Sequence, residues 1–335
     1  MSLRTWRING KVIINIGALK MSIVQEPVFV VGMPYSPDKL NPDKALVMDD
    51  MLDSAIRFHD LLAGNGVNVR MLGINNKDTP DQNEYSERLE TMLEGGVVVT
   101  ENVEGQGIRM HYWPRDFFFT MDDTIHYRND NVKRGFFRMT KMNVTLNSLG
   151  VDIKNGKFEN SVLAEQGLFV YDGKTIAVSD FYDLNQAAIK FSDQGYKVVA
   201  IPMPADSEEL ISQRRERAVT NDRPATHIDS EFNFVQTPGG NIVGIVDRQY
   251  LETFSEDVDY AVRELDAFMQ ISDEPYAPNF AHLGNGKVLM PLNTPKAQEF
   301  LKRNLGRENI LVDTTNFMKY AGYGGSIRCK TNLIM

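Results

Sequence analysis

Short apolar runs broken by glycine-bearing turns alternate along the chain with amphipathic stretches of helical period. The clearest unit starts at Leu168. Phe169-Val170-Tyr171 runs into Asp172-Gly173, a strong hairpin signal, and residues 175–178 return. Asp183 then caps a predicted helix with Leu184, Ala187, Ala188 and Phe191 on one face and Gly195 at its end, and residues 197–201 close the unit as a strand. The pattern returns over 227–246 about Pro238-Gly239-Gly240, followed by a helix predicted to carry Phe254, Val258, Val262, Leu265 and Phe268 or Met269. It returns again over 279–292 about Gly284-Asn285-Gly286, with Thr294 as N-cap, Pro295 at the first helical position and Gly306 past the end. Residues 310–312 close that unit. An earlier one spans 112–127 with Asp122-Asp123 at the turn, then a helix toward Gly150.

The N-terminal part supplies a strand at 28–31, a helix over 43–63 and a strand at 67–71; its missing partner strand is expected from 326–334. That makes five units, irregularly spaced, so the repeat is one of structure rather than of sequence. Interspersed helices and hairpins predict an α/β class with mixed sheets rather than a doubly wound parallel fold. Residues 73–107, polar at their start, are expected to form a loop insertion over a site.

Composition changes this picture little. With 42% hydrophobic and 24% charged residues in 335, the chain can bury a sizeable core. Its 36 basic and 45 acidic side chains give a net charge of −9, which disfavours a nucleic-acid partner. The one cysteine excludes an intrachain disulfide and any CxxC site. Residues 1–24, where Arg4, Arg7, Lys11 and Lys20 surround the apolar run 12–19, are read as an N-terminal extension, with 25–335 as a single catalytic domain. No segment has the length of a membrane span. The expectation is a soluble, cytoplasmic protein without membrane partners; self-association stays open.

Four segments carry candidate chemistry. Cys329 follows a glycine-rich approach, Gly322-Tyr323-Gly324-Gly325-Ser326-Ile327-Arg328, where glycines let a backbone come close to a ligand. Free cysteine is also among the most buried residue types, and a nucleophilic thiolate needs an electropositive setting. In Thr226-His227-Ile228-Asp229-Ser230-Glu231-Phe232-Asn233-Phe234, read as a strand, His227, Asp229, Glu231 and Asn233 share one side and Ile228, Phe232 and Phe234 the other. That alternation fits a solvated face over a core face equally well. Trp113-Pro114-Arg115-Asp116 precedes an aromatic run, and Glu165-Gln166-Gly167 precedes the Asp172-Gly173 hairpin. Both read equally as ordinary surface charges. Asp116, Glu165, His227, Asp229 and Cys329 all fall near the first strands of successive units, so equivalent positions arranged about one axis would converge. No cofactor motif or metal-ligand spacing is present. His59, on the face of Met48, Leu52, Ala55 and Leu62, reads as a core-edge residue, and His111, His126 and His282 have no partners at ligand spacing.

PRDF (114–117), EQGLFVYDGKTIAV (165–178), HIDSEFNFV (227–235) and YGGSIRC (323–329), in this order, resemble the guanidine-modifying (pentein) superfamily of arginine and agmatine deiminases, dimethylargininases and amidinotransferases. The resemblance implies a fivefold pseudosymmetric α/β-propeller of ββαβ-type repeats. It implies a cysteine-dependent hydrolase acting on a small cationic guanidino compound such as arginine or agmatine through a covalent amidino-thioether. Amidino transfer to an acceptor amine is the alternative, and a catalytically silent binding relative a third. By matching position, Cys329 would be the nucleophile, His227 the general acid/base and Glu165 its orienting partner, while Asp116 and Asp229 would clasp the guanidinium. The family's Glu-Gly-Gly is Glu165-Gln166-Gly167 here, and HxD rather than HxK points away from the dimethylargininases. Arg115, Arg307 and Arg328 are candidates for binding a substrate carboxylate.

Overall fold

The structure is a computed structural model and describes residues 4–8, 11–15, 26–33, 44–75, 80–101, 114, 118–121, 124–127, 139–153, 157–160, 169–171, 175–179, 191–202, 228–284, 286–315, 317 and 327–334. Among the described residues the strands form six sheets. β1 (Arg4–Ile8) and β2 (Lys11–Asn15) make an antiparallel pair of their own within the expected extension.

The remaining sheets share one plan: an antiparallel pair whose second strand is joined in parallel by a third. The sheet nearest the N-terminus holds β3 (Val28–Val31), β4 (Val69–Asn75) and β5 (Val97–Glu101), all parallel. Helix α1 (Lys44–Ala63) crosses from β3 to β4. The next sheet pairs β6 (Phe118–Met121) with β7 (Thr124–Tyr127) and then β8 (Lys157–Asn160). β9 (Phe169–Tyr171), β10 (Thr175–Ser179) and β11 (Lys197–Ile201) form the third. β12 (Phe232–Gln236), β13 (Ile242–Asp247) and β14 (Ala267–Ser272) form the fourth, and β15 (Ala281–Gly284), β16 (Lys287–Met290) and β17 (Ile310–Val312) the fifth. The last strand, β18 (Thr331–Ile334), lies antiparallel to β3, with Asn332 opposite Val30. The chain thus supplies the partner strand expected from its other end, and the predicted ββαβ order recurs.

Local chemistry sets these elements. Asp247 at the end of β13 accepts the Tyr250 backbone N–H at 3.1 Å and so starts helix Arg248–Thr253 without a connecting loop. Pro295 opens helix Pro295–Leu305, and Gly306, at φ 92°, ends it. Gly244 is central in β13, where a Cβ would collide with the Asn233 carbonyl and with Met269 Sδ. β3 and β13 are buried on both faces. Val28, Phe29, Val30 and Val31 with Met51, Ala55, Phe58 and Leu62 form part of the largest apolar cluster.

Three expectations are corrected. Residues 73–107 are not a loop insertion: Pro80–Met92 is a helix packing Tyr85 and Leu89 into the core, and Val97–Glu101 is a strand. The helix predicted to reach Phe268 ends at Leu265, because Asp266 adopts a left-handed conformation (φ 51°). Phe268 and Met269 lie on β14 instead. The segment read as a strand from His227 is a 3-10 turn, Ile228–Ser230, and the strand starts at Phe232.

Candidate active site

Strands β12, β15 and β18 are each approached by a short segment that carries buried residues just ahead of the strand. Ahead of β12 it is the 3-10 turn Ile228–Ser230, and ahead of β18 the 3-10 turn Ile327–Lys330, which contains Cys329. Between them in sequence, Pro278, Asn279 and Phe280 lead into β15. Ile228 and Ile327, at 0% and 1% exposure, anchor the two turns in the interior.

Polar side chains join these segments. Asp229 and Arg328 are each 1% exposed, with Arg328 Nε 3.4 Å from Asp229 Oδ2. Arg328 Nη1 donates to Asn233 Oδ1 at 2.9 Å. The Arg328 backbone N–H donates to Asn279 Oδ1 at 3.0 Å, while Asn279 Nδ2 donates to the Asp229 carbonyl at 3.3 Å. Asn233 Nδ2 donates to the carbonyls of Pro278 and Phe280 at 2.7 and 2.9 Å. One strand further, Asn332 Nδ2 donates to the Phe118 carbonyl at 2.9 Å, tying β18 to β6. Charges this deeply buried persist only when paired and hydrogen-bonded, so the cluster specifies how these segments meet.

Of the sequence-predicted site residues, Asp229 lies in this cluster, though on a turn rather than a strand face. Glu231 and Asn233 are also buried, so the expected solvated face does not exist here. Cys329 follows Arg328 in the turn Ile327–Lys330. His227, Glu165 and Asp116 lie outside the described residues. Arg328, a candidate for a substrate carboxylate, is instead buried against Asp229 and Asn233; Arg307 is exposed on the turn Arg307–Asn309, and Arg115 lies outside the described residues. Asn279 escaped the sequence reading, since a lone asparagine before a strand gives no signal until its two partners are seen.

Three other histidines are accounted for by packing. His59 sits at the core edge, 3.3 Å from Asp60 Oδ1. His126 is buried and stacks on Phe119 at 4.5 Å, with Nδ1 3.7 Å from Glu159 Oε2. His282 stacks on Phe280 at 5.6 Å, and His111 lies outside the described residues. A shallow groove of about 660 Å³, lined by Phe268, Met269, Phe300 and Arg303 among others, shares no residue with the turns. No helix among the described residues is long and apolar enough to cross a membrane.

No protein-family model matches the sequence, and no curated protein matches it significantly. Solved structures do match. One provisionally assigned as an agmatine deiminase superposes with a TM-score of 0.53 at 14% identity, over 93% of this chain and 94% of its own. The apo structure of ArgZ, an arginine dihydrolase from the ornithine–ammonia cycle in cyanobacteria, superposes with a TM-score of 0.50 at 10% identity over 92% of this chain. This chain spans 39% of that protein's length. The chain shares its fold with these two structures. An amidinotransferase of saxitoxin biosynthesis from Microseira wollei also matches, with a TM-score of 0.43 at 15% identity over 76% of this chain and 81% of its own. The likeness expected from the motifs thus holds at the level of a shared mixed α/β fold.

Proposed function

We propose that this chain is a cysteine-dependent hydrolase of a small guanidino compound. Residues 25–335 would form one domain in which the five sheets surround a common axis. The observation that carries the reading is the meeting of two turns, one bearing Asp229 and the other Cys329, through the buried Asp229–Arg328 pair, each turn leading into the first strand of a different sheet. Motif order and the shared fold agree with it. Asp229 already faces one guanidinium, that of Arg328, and a carboxylate has about four lone-pair sites, so it can accept from a second.

In this reading Asp116 and Asp229 grip the substrate cation beside Cys329. The Cys329 sulfur bonds to the central guanidino carbon; the C–N bond breaks as His227 gives its proton to the departing ammonia or amine. Water then loses a proton to His227, a C–O bond forms, and the S–C bond breaks to return the thiolate. Glu165 orients His227 throughout.

The test is an ammonia-release screen over arginine, agmatine and related guanidines, with and without glycine, lysine or ornithine. Ammonia release without an added amine, lost in Cys329→Ala, is the expected result. Turnover that requires the added amine would make the protein an amidinotransferase. Binding without turnover would leave a silent relative, and turnover retained by Cys329→Ala would sink the covalent mechanism.

A further inference from the structure

Asn279 stands two residues ahead of β15, the position that Cys329 holds ahead of β18, Ser230 ahead of β12 and Asp116 ahead of β6. Two of those four residues are ones to which the proposed function gives a direct role. Asn279 is 0% exposed, and both ends of its amide are used across long stretches of chain. Nδ2 donates to the Asp229 carbonyl at 3.3 Å and lies 3.5 Å from Ser230 Oγ; Oδ1 accepts the Arg328 N–H at 3.0 Å. The partners fix the orientation of the amide, because reversing it would set NH2 against N–H and oxygen against carbonyl. A single side chain therefore spans the turn that bears Asp229 and the turn that bears Cys329.

We propose that Asn279 is a positioning residue of the candidate active site, setting the spacing between the Cys329 turn and the Asp229 turn. The assignment rests on the hydrolase reading for its consequence in turnover, but the link itself is independent of it. Few residues can replace Asn279. Leucine has a similar shape but leaves a buried N–H and a buried C=O unpaired, aspartate sets a carboxylate against a carbonyl, and glutamine is one methylene too long. Reacting groups held in one geometry lose much of their rate when displaced by an ångström, so the link bears on chemistry more than on substrate affinity.

Because Cys329 is the single cysteine, iodoacetamide reports on its turn without any knowledge of the substrate. The experiment compares wild type with Asn279→Ala, with Asn279→Ser, whose hydroxyl cannot bridge both turns, and with Gln298→Ala. Gln298 is a second buried amide, with two hydrogen bonds of its own to the Pro291 and Leu292 carbonyls, away from the turns. Alkylation of Cys329 is followed against pH, alongside thermal melting and the kinetics of whichever guanidine is turned over. In Asn279→Ala the midpoint of alkylation should move toward the value of about 8.5 for free cysteine. kcat should fall about 10- to 100-fold with KM changed less than about threefold. Asn279→Ser should lie between and carries the test if the alanine variant does not fold; Gln298→Ala should lower only the melting temperature. If the Asn279 variants melt lower but keep the wild-type alkylation midpoint and kcat, the proposal is overturned. If Cys329→Ala retains turnover while Asn279→Ala still moves the alkylation midpoint, the hydrolase reading fails and the link stands.

Discussion

The turns Ile228–Ser230 and Ile327–Lys330 are the same device with opposite charge. Aligned from their buried isoleucines, Ile-Asp-Ser-Glu-Phe-Asn-Phe (228–234) meets Ile-Arg-Cys-Lys-Thr-Asn-Leu (327–333). Both make one 3-10 turn, both pass into the first strand of a sheet, and both place an asparagine at that strand's second residue. Asn233 and Asn332 each reach the start of another sheet's first strand. What differs is the chemistry between isoleucine and asparagine: aspartate against arginine, hydroxyl against thiol, glutamate against lysine. The shared part builds the scaffold. The differing part lets the two turns attract each other through Asp229 and Arg328 and gives only one of them a thiol.

The largest test of this contrast exchanges the equivalent Ser230 and Cys329. Cys329→Ala should cost on the order of 10⁴-fold or more in ammonia release, while Ser230→Ala should change it less than about threefold. Comparable losses at both positions would mean that the thiol has no special role. Next in size is the charge pair. Asp229→Asn leaves Arg328 buried without its carboxylate and should cost about 3–5 kcal/mol in urea unfolding. Arg328→Leu should cost a similar amount, and Asp229→Leu combined with Arg328→Leu should be less damaging than the sum by about 1–3 kcal/mol. Strict additivity would show that the turns meet without the ion pair. The smallest effect separates the asparagines. Asn233→Ala removes bonds to two carbonyls and to Arg328 and should cost about 2–3 kcal/mol, whereas Asn332→Ala removes its bond to Phe118 and should cost about 1 kcal/mol, both read by chemical denaturation.

Much of the fold was legible because hairpin and capping signals are local. Asp172-Gly173 and Pro238-Gly239-Gly240 stand in the sequence between strands that do pair, and Thr294, Pro295 and Gly306 bound a helix as expected. β14 was hidden because Leu265 and Phe268 keep a helical interval across Asp266, where only the backbone conformation breaks the helix. β5 was hidden because the polar start of residues 73–107 spoke for a loop throughout, although Val97–Glu101 is a strand. In the site, alternation misled. Residues 228–235 are all buried, so polar residues at every second position report pairing across the interior rather than a wet face. Those pairings link residues such as Asn233 and Arg328, far apart along the chain, and no local pattern encodes them.

The pairing of β18 with β3 also sets an order of events. Four of the five repeated sheets are completed from strands near one another in sequence, so each can form soon after it leaves the ribosome. The sheet of β3 instead waits for residues 331–334, and the long loop between them makes its closure the slowest contact by entropy and topology. The turn bearing Cys329 arrives with that strand, directly ahead of it. Under the proposed chemistry, the reactive thiol would be delivered by the same step that completes the fold, and a partly synthesised chain would carry its cation-binding carboxylates but no nucleophile.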